Sequence, residues 1–144
     1  MPSFRNFFPV VYHSQRVYVF GGYDGENKIQ MKASECYDIV NEKWYPIADL
    51  KISRSQSGAC RINDDEILVC GGYNKEIGTL DTIERYIISK DKFEITTLKL
   101  PIPLRRFMII RVAKNIALIL GGLTRSSKES QRVFKLDYEN ETFV

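Results

Sequence analysis

Apolar positions in this chain fall into three copies of one pattern. Each copy has a short unbroken apolar run closed by a glycine pair. The runs are residues 17–20 before Gly21-Gly22, 67–70 before Gly71-Gly72, and 116–120 before Gly121-Gly122. The pairs recur at an interval of fifty residues, twice over. An alternating run would mark a strand with one wet face, whereas an unbroken one predicts a strand covered on both faces. Polar turn signals precede each run: Ser14-Gln15, Asn63-Asp64-Asp65 and Lys114-Asn115.

The pattern predicts four strands per copy, here named A to D. They span residues 7–13, 16–20, 33–39 and 43–47 in the first copy, and 56–62, 66–70, 81–87 and 92–98 in the second. The third gives 106–112, 116–120 and 131–136, with D barely begun before Val144. Pro46 has no N–H for a ladder, so D should be an edge strand. The period-two rule puts Phe93, Ile95 and Thr97 on one face of D in the second copy. The stretches after each glycine pair, from Tyr23, Tyr73 and Leu123, read as polar loops. No stretch has a helical period, and none reads as a linker.

Aromatic residues keep the same register. Tyr37 is followed seven residues later by Trp44, Tyr86 by Phe93, and Leu136 by Phe143. A double glycine after a β run, a Tyr-x6-Trp pair and a period near fifty together resemble the kelch repeat. The resemblance is strongest in the first copy and weaker where Phe93, Phe143 and Leu136 depart from Trp and Tyr. It implies an all-β fold of kelch-type β-propeller blades, each a four-stranded antiparallel sheet. One kelch-repeat region over residues 1–144 would divide into blades near 4–53, 54–103 and 104–144. It also implies structural roles for Gly21, Gly22, Tyr37, Trp44, Gly71, Gly72, Tyr86, Phe93, Gly121 and Gly122. Glycine tolerates a sharp turn with positive φ, and an aromatic pair fills the wedge between neighbouring sheets.

Propellers carry four to eight blades in a closed ring, so three blades make an incomplete one. The count leaves three outcomes open: the chain is a piece of a six-bladed protein, two copies self-associate to complete a ring, or an open arc is covered by another partner.

Composition adds bounds rather than identity. With 144 residues, 44% hydrophobic and 27% charged, the chain can bury an ordinary globular core. A net charge of +3 is too small to point to nucleic acid. No run approaches the length of a membrane span, and the first residues do not read as a secretory leader. Cys36, Cys60 and Cys70 are odd in number and lack metal or redox spacing, so free thiols in a reducing, cytoplasmic setting are expected.

Candidate chemistry is sparse. One histidine, His13, and three scattered cysteines cannot assemble a ligand set at a usual spacing, so no metal and no cofactor are expected. Gly21-Gly22-Tyr23-Asp24-Gly25 precedes a strand, and so lacks the helix N-terminus that holds phosphate. Asp64-Asp65 and the Asp24/Glu26 pair read as turn residues.

The B–C and D–A connections of an antiparallel blade emerge on one face. That face gathers ten cations, among them Lys28, Lys51, Arg54, Lys75, Arg105, Arg106 and Arg125, against five anions. Kelch propellers commonly bind partner peptides through this face, and the resemblance implies the same use here: a non-catalytic protein-interaction module that grips an acidic peptide. Arg54, Arg105, Arg106, Lys51 and Arg125 are the contact candidates, arginine because its planar fork makes paired bonds to a carboxylate. Family members include scaffolds or adaptors for ubiquitin ligases and cytoskeletal assemblies, so such protein partners are implied, with no nucleic acid and no membrane. The alternative is a kelch-like sugar-acid epimerase or oxidase with a site in the central channel. The inner-strand residues Val10, Gly58, Ala59 and Ile109 supply no ionisable cluster for it.

Overall fold

In the computed structural model, which describes residues 1–144, the three apolar runs are the second strands of three four-stranded antiparallel sheets. The first sheet contains β1 (Val10–His13), β2 (Arg16–Phe20), β5 (Ser34–Asp38) and β6 (Lys43–Ile47), in that spatial order. A two-stranded hairpin, β3 (Tyr23–Asp24) and β4 (Ile29–Gln30), rises between β2 and β5. The second sheet repeats the plan with β7 (Gly58–Arg61), β8 (Glu66–Cys70), β11 (Thr82–Ile87) and β12 (Lys92–Lys99), and with the hairpin β9 (Tyr73–Asn74) and β10 (Gly78–Thr79). The third contains β13 (Met108–Ala113), β14 (Ile116–Leu120), β15 (Val133–Asp137) and β16 (Thr142–Phe143). These are propeller blades, and the ring is not closed.

The second strands β2, β8 and β14 keep the predicted limits, bounded by tight flanking turns; β8 is buried on both faces, whereas β14 buries Ala117 and Ile119 and leaves its other face open. Ser14, Gln15 and Asn115 take left-handed φ values of 50°, 60° and 58° in the A–B turns. On the C–D side, the Asp38 carboxylate accepts bonds from the N–H groups of Val40 and Asn41, an Asx turn that Asp137 and Asn140 repeat. Ile87 stands where Asp38 and Asp137 do, and there the turn becomes a 3-10 turn, Ile88–Lys90, ended by Asp91 at φ 44°.

Two sequence expectations need correction. Strand A starts two or three residues late, because Asn6, Ser55 and Arg105 instead bridge Tyr23, Tyr73 and Leu123. The next residues, Phe7, Gln56 and Arg106, are left-handed with φ near 54°, 57° and 55°, which no strand continues through. The post-glycine loops of the first two blades contain the hairpins β3–β4 and β9–β10. In β12 the alternation holds, and along the face shared by Phe93, Ile95 and Thr97 only Phe93 is buried against the first blade. An irregularity between Thr82 and Glu84 shifts the β11–β12 register, as a bulge does.

Blades pack face to face around two apolar clusters. Between the first and second lie Val11, Tyr18, Phe20 and Cys36 against Ile67, Val69, Tyr86 and Phe93. Phe93 meets Phe20 edge-on at 5.8 Å and Tyr86 at 4.9 Å. Between the second and third lie Cys60, Leu68, Cys70 and Ile83 against Ile109, Ala117, Ile119, Phe134 and Leu136. Each fully buried Ile, Leu or Phe contributes about 1.5–3 kcal/mol. The equivalent pair in the first blade, Tyr37–Trp44 at 5.1 Å, has no sheet beyond it and stays half-exposed.

Candidate functional site

Arg54 is not a surface contact. Its side chain is fully buried, with Nη2 2.7 Å from the Glu84 carboxylate and Nη1 donating to the carbonyls of Gly71 and Thr82. Burial lowers its pKa, against the opposing charge of Glu84. Glu84 also accepts the N–H groups of Lys51 and Ile52, which ties the D–A strap down onto the blade. Arg5 repeats the arrangement in the first blade, donating to Gly21 and Ala33 and pairing with Glu35 at 2.9 Å. Arg54 also donates to the Ile52 carbonyl and the Thr82 hydroxyl, so its five N–H bonds are all taken up inside the blade and none is left for a partner.

Arg105 and Arg106 occupy different places in the repeat from Arg54, whose equivalent is Leu104. The Leu104 carbonyl receives the Gly72 N–H as the Arg54 carbonyl receives that of Gly22. Freed from the buried role, both arginines reach the loop face. Arg105 lies 5.4 Å above the Tyr73 ring and donates to the Ser127 hydroxyl. Arg106 is exposed, lies 5.7 Å above the Phe7 ring, and donates to the Gln56 amide oxygen at 2.8 Å. Neither forms an ion pair within the chain. Lys51 is exposed on the strap, and Arg125 is exposed on the third blade's loop, the same loop that holds Ser127.

Beside these arginines, the β3–β4 and β9–β10 hairpins enclose a groove. Its inner hollow, about 420 Å³, is lined by Phe7, Tyr23, Tyr73, Gln30, Gln56, Ser55, Lys28 and Lys75. A second hollow of about 300 Å³ shares Lys28, Gln30 and Lys75 and adds Ser53, Asn74 and Glu76. The Lys75 N–H donates to the Gln30 side chain at 3.0 Å, which joins the two hairpins across the groove. A lysine therefore stands on each wall, Lys28 on one hairpin and Lys75 on the other, and Arg106 stands over Phe7. Glu76 is the one acidic side chain in either lining. Lys28 and Lys75 are legible along the chain through the charge of the loop face. Phe7, Tyr73 and Gln56 went unmarked, because only folding brings residues fifty apart under the arginines.

The remaining reactive groups are withdrawn. Cys36, Cys60 and Cys70 are free and buried. Burial pushes the Cys60 thiol up to about 12, and Cys70 well above its usual value. His13 contacts the Ser14 hydroxyl at the end of β1, and no group of three His, Cys, Asp or Glu side chains is placed to hold a metal. A further cleft of about 390 Å³, on the outer part of the first two blades, mixes Arg16 with Asp38 and Asp91. No helix is long and apolar enough to cross a membrane.

Four-stranded blades stacked through apolar faces, each turned by a glycine pair, define a propeller-repeat protein. The family model described as the Kelch motif matches residues 5–51 and 53–96, more than half of the chain. The chain belongs to the kelch-repeat family. It is similar to alpha-scruin of Limulus polyphemus, 26% identical over 140 residues that cover 92% of this chain and 15% of that protein. Kelch-like protein 40 of Xenopus tropicalis is 31% identical over 84% of this chain and 19% of its own length. Kelch-like protein 23 of Homo sapiens is 36% identical over 56% of this chain and 13% of its own. The chain thus spans under a fifth of the length of these relatives.

Proposed function

We propose that this chain is a non-catalytic protein-binding module that takes an acidic peptide segment along the groove between its loop hairpins. The observation that carries the reading is the pair Arg105 and Arg106, held over Tyr73 and Phe7 beside Lys28 and Lys75 with no carboxylate partner. A guanidinium stacked on a ring keeps its forked N–H edge free and pre-oriented, so less side-chain entropy is lost when a carboxylate binds. The aromatic and glutamine lining offers apolar contact and hydrogen bonds to a peptide backbone. Arg106 and the lysines are the principal charge contacts. Arg105, half-buried, sets the floor, while Lys51 and Arg125 lie farther out and steer the approach of an anion. By family resemblance the partner would be a component of a cytoskeletal or ubiquitin-ligase assembly, with no cofactor involved.

Fluorescence anisotropy with a labelled peptide of alternating Glu and Ser, and with its Lys-substituted counterpart, tests this. The expected result is binding of the acidic peptide alone, weakened by salt. Arg106→Glu combined with Lys75→Glu should then lower affinity at least tenfold, about 1.4 kcal/mol or more. Equal binding of both peptides, or unchanged affinity in the variant, overturns the reading.

A further inference from the structure

Arg105 keeps part of its guanidinium edge unfilled. Nη2 donates to the Ser127 hydroxyl at 2.8 Å, while Nε, on the same edge, is buried and has no acceptor. Nε and Nη2 together form a fork that takes two oxygens of one phosphate or carboxylate. A serine hydroxyl offers a single oxygen, so it fills half of that fork. The Tyr73 ring, 5.4 Å away, holds the guanidinium in place.

Ser127 is exposed at the tip of the third blade's loop, with a left-handed φ of 59° and its N–H on the Thr124 carbonyl at 2.9 Å. Its neighbours are engaged elsewhere: Ser126 contacts the Thr124 hydroxyl at 3.2 Å, and Ser130 accepts the Arg132 N–H. Exposed cations flank it, Arg125 two residues before and Lys128 directly after, with Glu129 the one anion in the loop.

A following blade leaves this position open. Tyr73 pairs with Thr79 and Leu123 bridges Glu129, which aligns Ser127 with Ile77. Ile77 is 57% exposed although the third blade follows its own. The combination is also particular to the third blade. At the position of Arg105 the earlier blades carry Asn6 and Ser55, and neither of their loop tips, residues 24–29 and 74–78, holds a serine.

We propose that Ser127 is a phosphorylation site, and that its phosphate fills the Arg105 fork and shuts the groove to acidic peptides. A serine/threonine protein kinase would transfer the γ-phosphoryl group of ATP. The bond from the γ-phosphorus to the ADP oxygen breaks, a bond to Ser127 Oγ forms, and the hydroxyl proton passes to the kinase's base. Phosphoserine brings a charge of about −1.5 to −2 and three strong acceptor oxygens. One oxygen serves Nη2 and another Nε, which ties the loop to Arg105. The same charge stands beside Tyr73, which lines the inner hollow, so an acidic peptide meets repulsion where it met cations. The switch rests on the acidic-peptide reading of the groove, whereas the phosphate site does not.

ATP and a kinase that selects basic residues around its target should place one phosphate on Ser127, located by mass spectrometry, and none on a Ser127→Ala variant. In phosphorus NMR, the second ionisation of that phosphate, ordinarily near about pH 6, should move down by about half a unit or more in the folded protein. Arg105→Gln should return it. With the labelled peptide of Glu and Ser, phosphorylation should weaken binding about tenfold or more. No uptake, uptake on Ser126 or Ser130 instead, or a titration that Arg105→Gln leaves unmoved overturns the site. Unchanged peptide affinity after phosphorylation overturns the switch alone. An unmodified protein that fails to bind the peptide overturns the groove reading and the switch with it, while the titration still decides the phosphate site.

Discussion

Arg54 and Glu84 meet at 2.7 Å with neither side chain exposed, and the third blade replaces both at once. Leu104 stands at the arginine position and Phe134 at the glutamate position, and Pro101 stands where Lys51 donates its N–H to the carboxylate. Proline has no such donor, so the apolar version leaves one fewer group in need of the missing carboxylate. A buried pair broken on one side strands a charge, which costs about 3–5 kcal/mol, while a matched apolar replacement is often neutral. Arg54→Leu should therefore destabilise by about that amount in urea unfolding. Arg54→Leu with Glu84→Phe should cost about 1–3 kcal/mol less than the two single changes added.

A second residue-scale effect is titratable. Glu94 accepts bonds from Arg85 at 2.6 Å and Lys92 at 2.9 Å, which hold its carboxyl down at about 2, below its ordinary 4.5. A folded value below the unfolded one means that this contribution is complete above pH 4.5 and is lost as pH falls toward 2. Thermal unfolding followed across that window should show a shallower acid loss for Glu94→Gln than for the parent chain. Asp24, Asp38, Asp65 and Asp137 are lowered by their turn hydrogen bonds, so part of the slope remains.

At the scale of elements, β2, β8 and β14 were legible to the residue, because each is an unbroken apolar run between a turn signal and a glycine pair, although in β14 only the face of Ala117 and Ile119 is covered. Strand starts were less legible. The left-handed knuckle at Phe7, Gln56 and Arg106 uses three residue types with no shared turn preference, and joint hydrogen bonds hold it. The glycine pairs also differ in what they meet. Gly71→Ala drives a Cβ into the Leu104 carbonyl at 2.4 Å and should cost on the order of 3 kcal/mol or more. Gly121→Ala meets nothing closer than 3.6 Å and bears mainly the left-handed backbone cost, about 1–2 kcal/mol. Urea unfolding of the two variants measures the difference directly.

For the whole molecule, three blades share two buried joints and leave two open faces. The groove and the open leading joint meet at Phe7, whose ring lies under Arg106 while its N–H lacks a partner. What the sequence by itself determined was the repeat: its family, its central strands, its blade count and its excess of cations on the loop face. Those follow from local rules, the hydrophobic period and the glycine punctuation, which act within one copy. Only the tertiary structure decided which cations are available. Arg54 and Arg105 look alike along the chain, yet a one-residue offset within the repeat sends the first into the sheet against Glu84 and the second onto Tyr73 at the rim. That offset is set by hydrogen bonds between blades, so it exists only once the blades have met.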